Sequence, residues 1–245
     1  MRLRTLGGLS VESNDAPLPG GAATQRRPLA LLALLAAAGE AGISRDKLVG
    51  YLWPESDPGR ARNVLKQTVY ALRRDLRSPE LIVGTTELRL NREVLPADVA
   101  EFDASVSAGD FERALALYGG PFLDGFYVGH SVEFERWVEE QRRRLHHRFA
   151  QAVESLAAAA AGRGEHGAAV ALWRRMAAAD PLDGRAAARL VRSLLAAGDR
   201  AGALRHARLY EELLKQELAV APDAAFRALV NEIVAEPPAA PPPAP

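Results

Sequence analysis

Cysteine is absent from this chain. Its absence excludes a disulfide framework, thiol catalysis and cysteine-ligated zinc, and it fits a reducing compartment. Aromatic residues are sparse, at 6%, and the formal net charge is zero. No apolar run approaches the roughly 20 residues that a membrane span requires. The longest, Leu29 to Ala38, has ten residues. It starts late, behind a Gly- and Pro-containing stretch, which is not the layout of a secretory signal. A helix in a soluble core is expected there, in a cytoplasmic protein with no membrane partner. Enzyme motifs are missing as well: there is no P-loop, no Gly-x-Ser-x-Gly and no paired-histidine zinc helix. His146 and His147 are adjacent, so on a helix they point about 100° apart and are poorly placed to share a metal. No catalytic residue, metal or cofactor is expected.

The zero net charge hides an asymmetry. Residues 1–95 carry 14 basic and 10 acidic side chains, and the remainder carries 17 and 21. A mildly basic front with an acidic rear suits a nucleic-acid binder joined to a protein-binding module.

Leu3 to Glu12 has local alternation, with Leu9 and Val11 inward, and predicts one or two short strands closed by a turn at Asn14-Asp15. Three helices follow. The first has Pro28 near its start, Leu29, Leu32 and Leu35 on one face, and a stop at Gly39. The second opens at Ser44, a good N-cap, and ends at Trp53-Pro54. The third has Asp57 as N-cap, Pro58 at its first position, and runs to about Leu76. Leu81-Ile82-Val83 and Leu88-Arg89-Leu90 flank a Gly-containing loop and predict a β-hairpin.

From Phe102 onward the pattern is helical. Gly109-Asp110-Phe111-Glu112-Arg113-Ala114-Leu115 looks like Gly164-Glu165-His166-Gly167-Ala168-Ala169-Val170 and like Gly198-Asp199-Arg200-Ala201-Gly202-Ala203-Leu204. The last two glycines stand 34 residues apart, the tetratricopeptide period. The first lies 55 residues ahead of the second, so a long helical insertion, Glu133 to Ala161, is expected between them. Small residues (Ala168, Ala169, Gly202, Ala203) recur where two helices would approach closely. Trp53, Trp137 and Trp173 sit among apolar residues as expected core. The last ten residues contain six prolines and read as a solvated linker, a composition suited to a natural chain that continues further.

The third helix carries the chemistry. At 100° per residue, Ala61, Leu65, Val69, Leu72 and Leu76 form one narrow apolar stripe. Arg60, Asn63, Gln67, Tyr70 and Arg74 fall opposite, with Arg62, Lys66 and Arg73 on the flank. Arg60 to Arg77 holds six basic residues and one acid, Asp75, and no glutamate. An ordinary solvated helix would interleave Glu with Lys. Arginine reads guanine bidentately, Asn and Gln read adenine, and cations pair with phosphates. Asn63, Lys66, Gln67, Tyr70 and Arg74 are the expected major-groove residues, with Arg60 and Arg73 on phosphates. Thr85 and Thr86 at the hairpin tip and Arg89 on its strand are further expected backbone contacts, and Arg26 and Arg27 are weaker ones.

Strands, three helices and a hairpin, in that order, resemble the OmpR-type winged helix. Ser44-Arg45-Asp46-Lys47-Leu48-Val49-Gly50-Tyr51-Leu52-Trp53-Pro54 and the stretch from Ala61 to Leu76 resemble the SARP regulators, the antibiotic regulatory protein family. The region from about Val99 to Ile233 is similar to the bacterial transcriptional activator domain (BTAD) found behind that winged helix. Its telling residues are Tyr118-Gly119-Gly120-Pro121-Phe122-Leu123-Asp124-Gly125-Phe126, Phe134-Glu135-Arg136-Trp137 and Asp180-Pro181-Leu182-Asp183. The expected fold is therefore mainly α: a winged helix-turn-helix over 1–96, a tetratricopeptide-like helical domain over 97–235, and a Pro-rich tail over 236–245.

The resemblance implies a regulator that binds direct repeats in duplex DNA near a promoter, often as two protomers, and recruits RNA polymerase. The loop Pro54-Glu55-Ser56-Asp57 would face the polymerase. Longer relatives append ATPase, phosphopeptide-binding or further repeat domains, whereas a phospho-acceptor receiver domain is absent from this sequence. The rival reading is a protein-interaction scaffold whose winged helix does not read DNA.

Overall fold

The computed structural model describes residues 1–13, 16–17, 20–129 and 131–235, and their packing forms two compact units, Met1–Ala152 and a second beginning at Val153. The expected turn at Asn14-Asp15 and the Pro-rich tail lie outside the described residues.

The first unit opens with an antiparallel sheet of three strands, β1 (Arg2–Arg4), β2 (Ser10–Ser13) and β3 (Ala16–Pro17). Sequence alternation gives only one or two strands here. The third is two residues long and is held by pairing to β2 rather than by a pattern of its own.

Helix α1 (Arg26–Ala38) carries the ten-residue apolar run, and every residue from Pro28 to Ala36 is buried. It is not the one-faced helix that Leu29, Leu32 and Leu35 imply. A helix apolar all round belongs at the centre of a domain, and α1 touches α2, α3, α4 and the hairpin strand. Helix α2 (Arg45–Leu52) is capped by Ser44, whose hydroxyl accepts the Lys47 amide at 3.3 Å. Helix α3 (Pro58–Asp75) is capped by Asp57, which accepts the Arg60 amide at 3.0 Å, with Pro58 where a missing N–H costs nothing.

A second sheet has the order β4-β6-β5, built from β4 (Ile43–Ser44), β5 (Ile82–Val83) and β6 (Glu87–Leu90). The hairpin is the expected one. Strand β4 is an addition: it pairs Ile43 with Leu88 and Ser44 with Glu87, fastening the start of α2 to the hairpin. This is the winged helix-turn-helix arrangement, with the hairpin as wing.

Helices α4 (Asp98–Ala108) and α5 (Phe111–Leu117) and the first part of α6 (Val132–Gly162) complete this unit. Asp98, 5% exposed, fixes the N-terminal sheet to α4. Its carboxylate accepts the Thr5 amide at 2.8 Å, the Leu6 amide at 2.9 Å and the Thr5 hydroxyl. The Gly119-Gly120 pair is explained by a backbone crossing. A Cβ on Gly7 would lie 2.9 Å from the Gly119 carbonyl oxygen, and one on Gly119 would lie 2.8 Å from that of Leu6. Arg142 then holds the following turn, donating to the Phe122 and Leu123 carbonyls, both at 2.8 Å. Phe134 and Trp137 pack with Phe122 and Tyr51 in one aromatic cluster.

In the second unit α7 (His166–Ala179) pairs with α8 (Gly184–Ala196), and α9 (Arg200–Leu218) with α10 (Ala224–Ala235). Gly164 and Gly198 both adopt positive φ, 77° and 79°, in the link that leads into α7 or α9. Gly109, φ 76°, does the same at the end of α4. Left-handed backbone at a helix end is where glycine carries no Cβ penalty, so the repeated motif is a helix stop followed by a new cap. Asp110 and Asp199 cap α5 and α9 by accepting the Arg113 and Gly202 amides. Glu165 makes no side-chain cap and pairs with Arg163 instead. Ala169, Gly202 and Ala203 are buried as close helix approach demands, whereas Ala168 is exposed. The Asp180-Pro181-Leu182-Asp183 stretch is the α7–α8 turn, in which Asp180 accepts the Leu182 amide and Asp183 caps α8.

The expected long insertion is α6, 31 residues. The fold is mainly α, a winged helix-turn-helix at the N-terminus followed by paired helices. No described helix is long and apolar enough to cross a membrane, and the described residues include no cluster of His, Asp and Glu able to hold a metal.

Candidate nucleic-acid interface

Helix α3 turns one face inward. Ala61, Leu65, Val69 and Leu72 are buried, and Leu76 just beyond the helix is buried too. Each fully buried Leu or Val stabilises the unit by about 1.5–3 kcal/mol, so rotation of α3 about its axis is firmly set. The rest of the helix surface is then fixed in direction. Arg60, Asn63, Lys66, Gln67, Tyr70 and Arg74 are all exposed, and Tyr70 is 67% exposed, an unusual position for a large ring unless something covers it.

Not every cation on α3 is available in the same way. Arg73 is half-buried, and its guanidinium donates to the Ile82 carbonyl, propping β5 against the helix. Arg74 is exposed but pairs with Asp75 at 2.8 Å. Asp75 also accepts the Ala22 amide at 2.7 Å, tying the end of α3 to the segment before α1. That backbone hydrogen bond, then the Arg74 guanidinium, holds the Asp75 carboxyl below its ordinary range.

The hairpin tip lies at the other end of this surface. Thr85 and Thr86 are exposed. Gly84, φ 99°, makes the tight bend, and a Cβ there would run into the Glu87 carbonyl oxygen. Arg89 is exposed on β6 and lies over Gly42, whose missing Cβ leaves it room. Arg26 donates to the Tyr127 carbonyl at 3.1 Å.

Sequence reasoning passed over Arg45 and Asp46 at this face, and left Arg62 on the flank of α3 without a role. Arg45 donates from Nε to the Thr85 carbonyl at 2.6 Å and from its backbone to Thr86 at 3.3 Å, so it holds the wing tip to α2. Arg62 and Asp46 pair across α2 and α3 at 3.0 Å. The available signal was Arg-Asp directly after an N-cap serine, which places both in the first turn of a helix.

The loop between α2 and α3 is short. Trp53 is buried, the Ser56 amide donates to its carbonyl at 3.2 Å, and Pro54, Glu55 and Asp57 remain exposed. Ser131 donates to the Tyr51 carbonyl, so the C-terminal end of α2 is braced by the chain just ahead of α6.

An exposed helix bearing Arg, Asn, Lys, Gln and Tyr, flanked by a β-hairpin, defines a winged-helix protein with a helical module behind it. Residues 90–234 match the family model of the bacterial transcriptional activator domain. The chain belongs to that family, in the SARP-type arrangement where the domain follows a winged helix. No curated protein matches it. Among solved structures it is similar to Mycobacterium tuberculosis EmbR, described in complex with a low affinity phosphopeptide. The identity is 23%, the TM-score 0.65, and the match covers 95% of this chain and 64% of EmbR. At that identity the likeness concerns the fold, and the chain spans under two thirds of EmbR's length.

Proposed function

We propose that this member of a transcriptional activator family binds duplex DNA sequence-specifically at promoter direct repeats, as two protomers, in the cytoplasm. Residues 1–96 form the reading domain and residues 97–235 the interaction domain. Asn63, Lys66, Gln67, Tyr70 and Arg74 enter the major groove; Arg60 and Arg73 meet phosphates, the latter after letting go of the Ile82 carbonyl. Thr85, Thr86 and Arg89 bring the wing to the backbone, and Pro54-Glu55-Ser56-Asp57 meets RNA polymerase. The observation that carries this reading is the exposed face of α3, free of glutamate and rich in base-reading side chains, on a helix whose opposite face is buried.

The test is a titration against DNA from upstream of the chain's own gene and its neighbours, with random DNA as control, at two salt concentrations. Tighter binding to one fragment, weakening with salt as phosphate contacts require, supports the reading. Gln67→Ala with Arg74→Ala is expected to cost that fragment about 10-fold or more, since each good base contact contributes about 1–3 kcal/mol of discrimination. Equal weak binding to every fragment, or none, overturns it in favour of a protein-interaction scaffold.

A further inference from the structure

A cavity of about 270 Å³ opens where α2, α3 and the wing converge, lined by Ser44, Arg45, Asp46, Arg62, Leu65 and Thr86. It holds two arginines, two hydroxyls and a single carboxylate. Two of the three elements that frame it, α3 and the wing, are those expected to touch DNA. Arg45 is already committed to the wing tip. Arg62 is committed only to Asp46, through both Nε and Nη2 at 3.0 Å. Both partners are well exposed, Arg62 at 59% and Asp46 at 74%. Such a pair is weak in water, because solvent screens it and two long side chains lose freedom to make it. An anion offering two oxygens in a fork can therefore take the guanidinium from Asp46 with little loss.

We propose that this cavity seats one backbone phosphate of duplex DNA, with Arg62 as its ligand and Asp46 as the counter-charge that Arg62 leaves. Thr86 also lines the cavity, and its hydroxyl can donate to the second oxygen. Asp46 then limits affinity. In the free protein it neutralises Arg62, and in the complex it stands near the phosphate as a like charge. Because a phosphate carries no base identity, this limit acts on every sequence alike. It lowers binding to random DNA without altering which bases α3 prefers.

This inference rests on the DNA-binding reading above, and the measurements separate the two. The full chain and its Arg62→Ala, Asp46→Asn and doubly substituted variants are titrated with the preferred fragment and with random DNA over a range of salt. Arg62→Ala is expected to make the log–log salt slope shallower on both DNAs, by less than the about 0.9 of a contact from a free cation, because Asp46 stays beside the phosphate. Asp46→Asn is expected to tighten both by about threefold at low salt, the size of one screened charge a few Å from a phosphate. That gain shrinks when Arg62 is also replaced, since no pair is then left to be parted. Unfolding curves matching the wild type are expected, since both side chains are largely exposed. An unchanged slope in Arg62→Ala, or an Asp46→Asn gain that is undiminished without Arg62, overturns this proposal. If the wild type still prefers one fragment, the DNA-binding reading survives that result. Failure of the wild type to bind any DNA overturns both.

Discussion

Replacing Asp98 with alanine tests whether the start of the activator domain and the winged helix, which share the first unit, fold as one body. Thr5 and Leu6 are essentially unexposed. Their amides, and the Thr5 hydroxyl, donate to the Asp98 carboxylate. Water has little access to replace it. A buried donor left without an acceptor costs about 1–3 kcal/mol. Two stranded amides, with the hydroxyl free to rotate toward another acceptor, give an expected loss of about 3–5 kcal/mol. Against a total stability of about 5–15 kcal/mol, that removes a large share of what holds residues 1–152 together.

Denaturant unfolding followed by tryptophan emission reads this directly, because Trp53 and Trp137 lie in the first unit and Trp173 in the second. Amide hydrogen exchange at Thr5 and Leu6 localises it. Fast exchange at those two amides and an early first transition are expected, with the second unit's transition unmoved. A variant within about 1 kcal/mol of wild type, the effect of an average point mutation, with both amides still protected, would refute the argument. The same geometry predicts that a fragment ending at residue 96 folds poorly, since it discards Asp98 and the Phe122 segment that bridges to Leu6 and Gly8.

Two further outcomes follow from single positions. Burial, then the nearby Arg174 guanidinium, lowers the His206 pKa below its usual 6.5, and its Nε2 is buried without a partner. The folded state thus resists a proton that the unfolded chain accepts, so stability is full above about pH 6.5 and falls as pH drops below it; thermal melts from pH 7.5 to 5.5 should show this in the second unit, with a flatter profile for His206→Gln. Gly84→Ala should disorder the wing tip, costing about 1–3 kcal/mol of local strain at a φ that disfavours a side chain, and weaken DNA binding equally on all sequences; unaltered hairpin amide exchange would count against it.

What the sequence made legible was whatever repeats locally. The period of Ala61, Leu65, Val69, Leu72 fixed the inward face of α3, and the caps Ser44 and Asp57 fixed where α2 and α3 begin. The 34-residue spacing of Gly164 and Gly198 located two equivalent helix pairs. Strand β4 was not legible, because two residues carry no alternation and its partner Leu88 lies 45 positions away. The all-round burial of α1 was hidden for a related reason: period alone says which residues are apolar, not how many neighbours surround them.

The same division runs through the interface. Side chains that point out along α3 follow from the helical period, so their direction was readable. What each cation does at rest depends on a partner distant in sequence. Arg73 is turned to Ile82 and Arg62 to Asp46, and only the fold reveals those engagements. The distinction has a consequence for salt dependence. An arginine that must leave a carboxylate releases less net charge to the phosphate than a free one, because a neutral pair is exchanged for a pair plus a stranded anion. A count of basic residues on α3 therefore overstates the electrostatic pull of this face on DNA. In the DNA-binding reading proposed above, base contacts by Asn63, Gln67 and Tyr70, which need no partner to be displaced, would then carry a correspondingly larger share of the affinity.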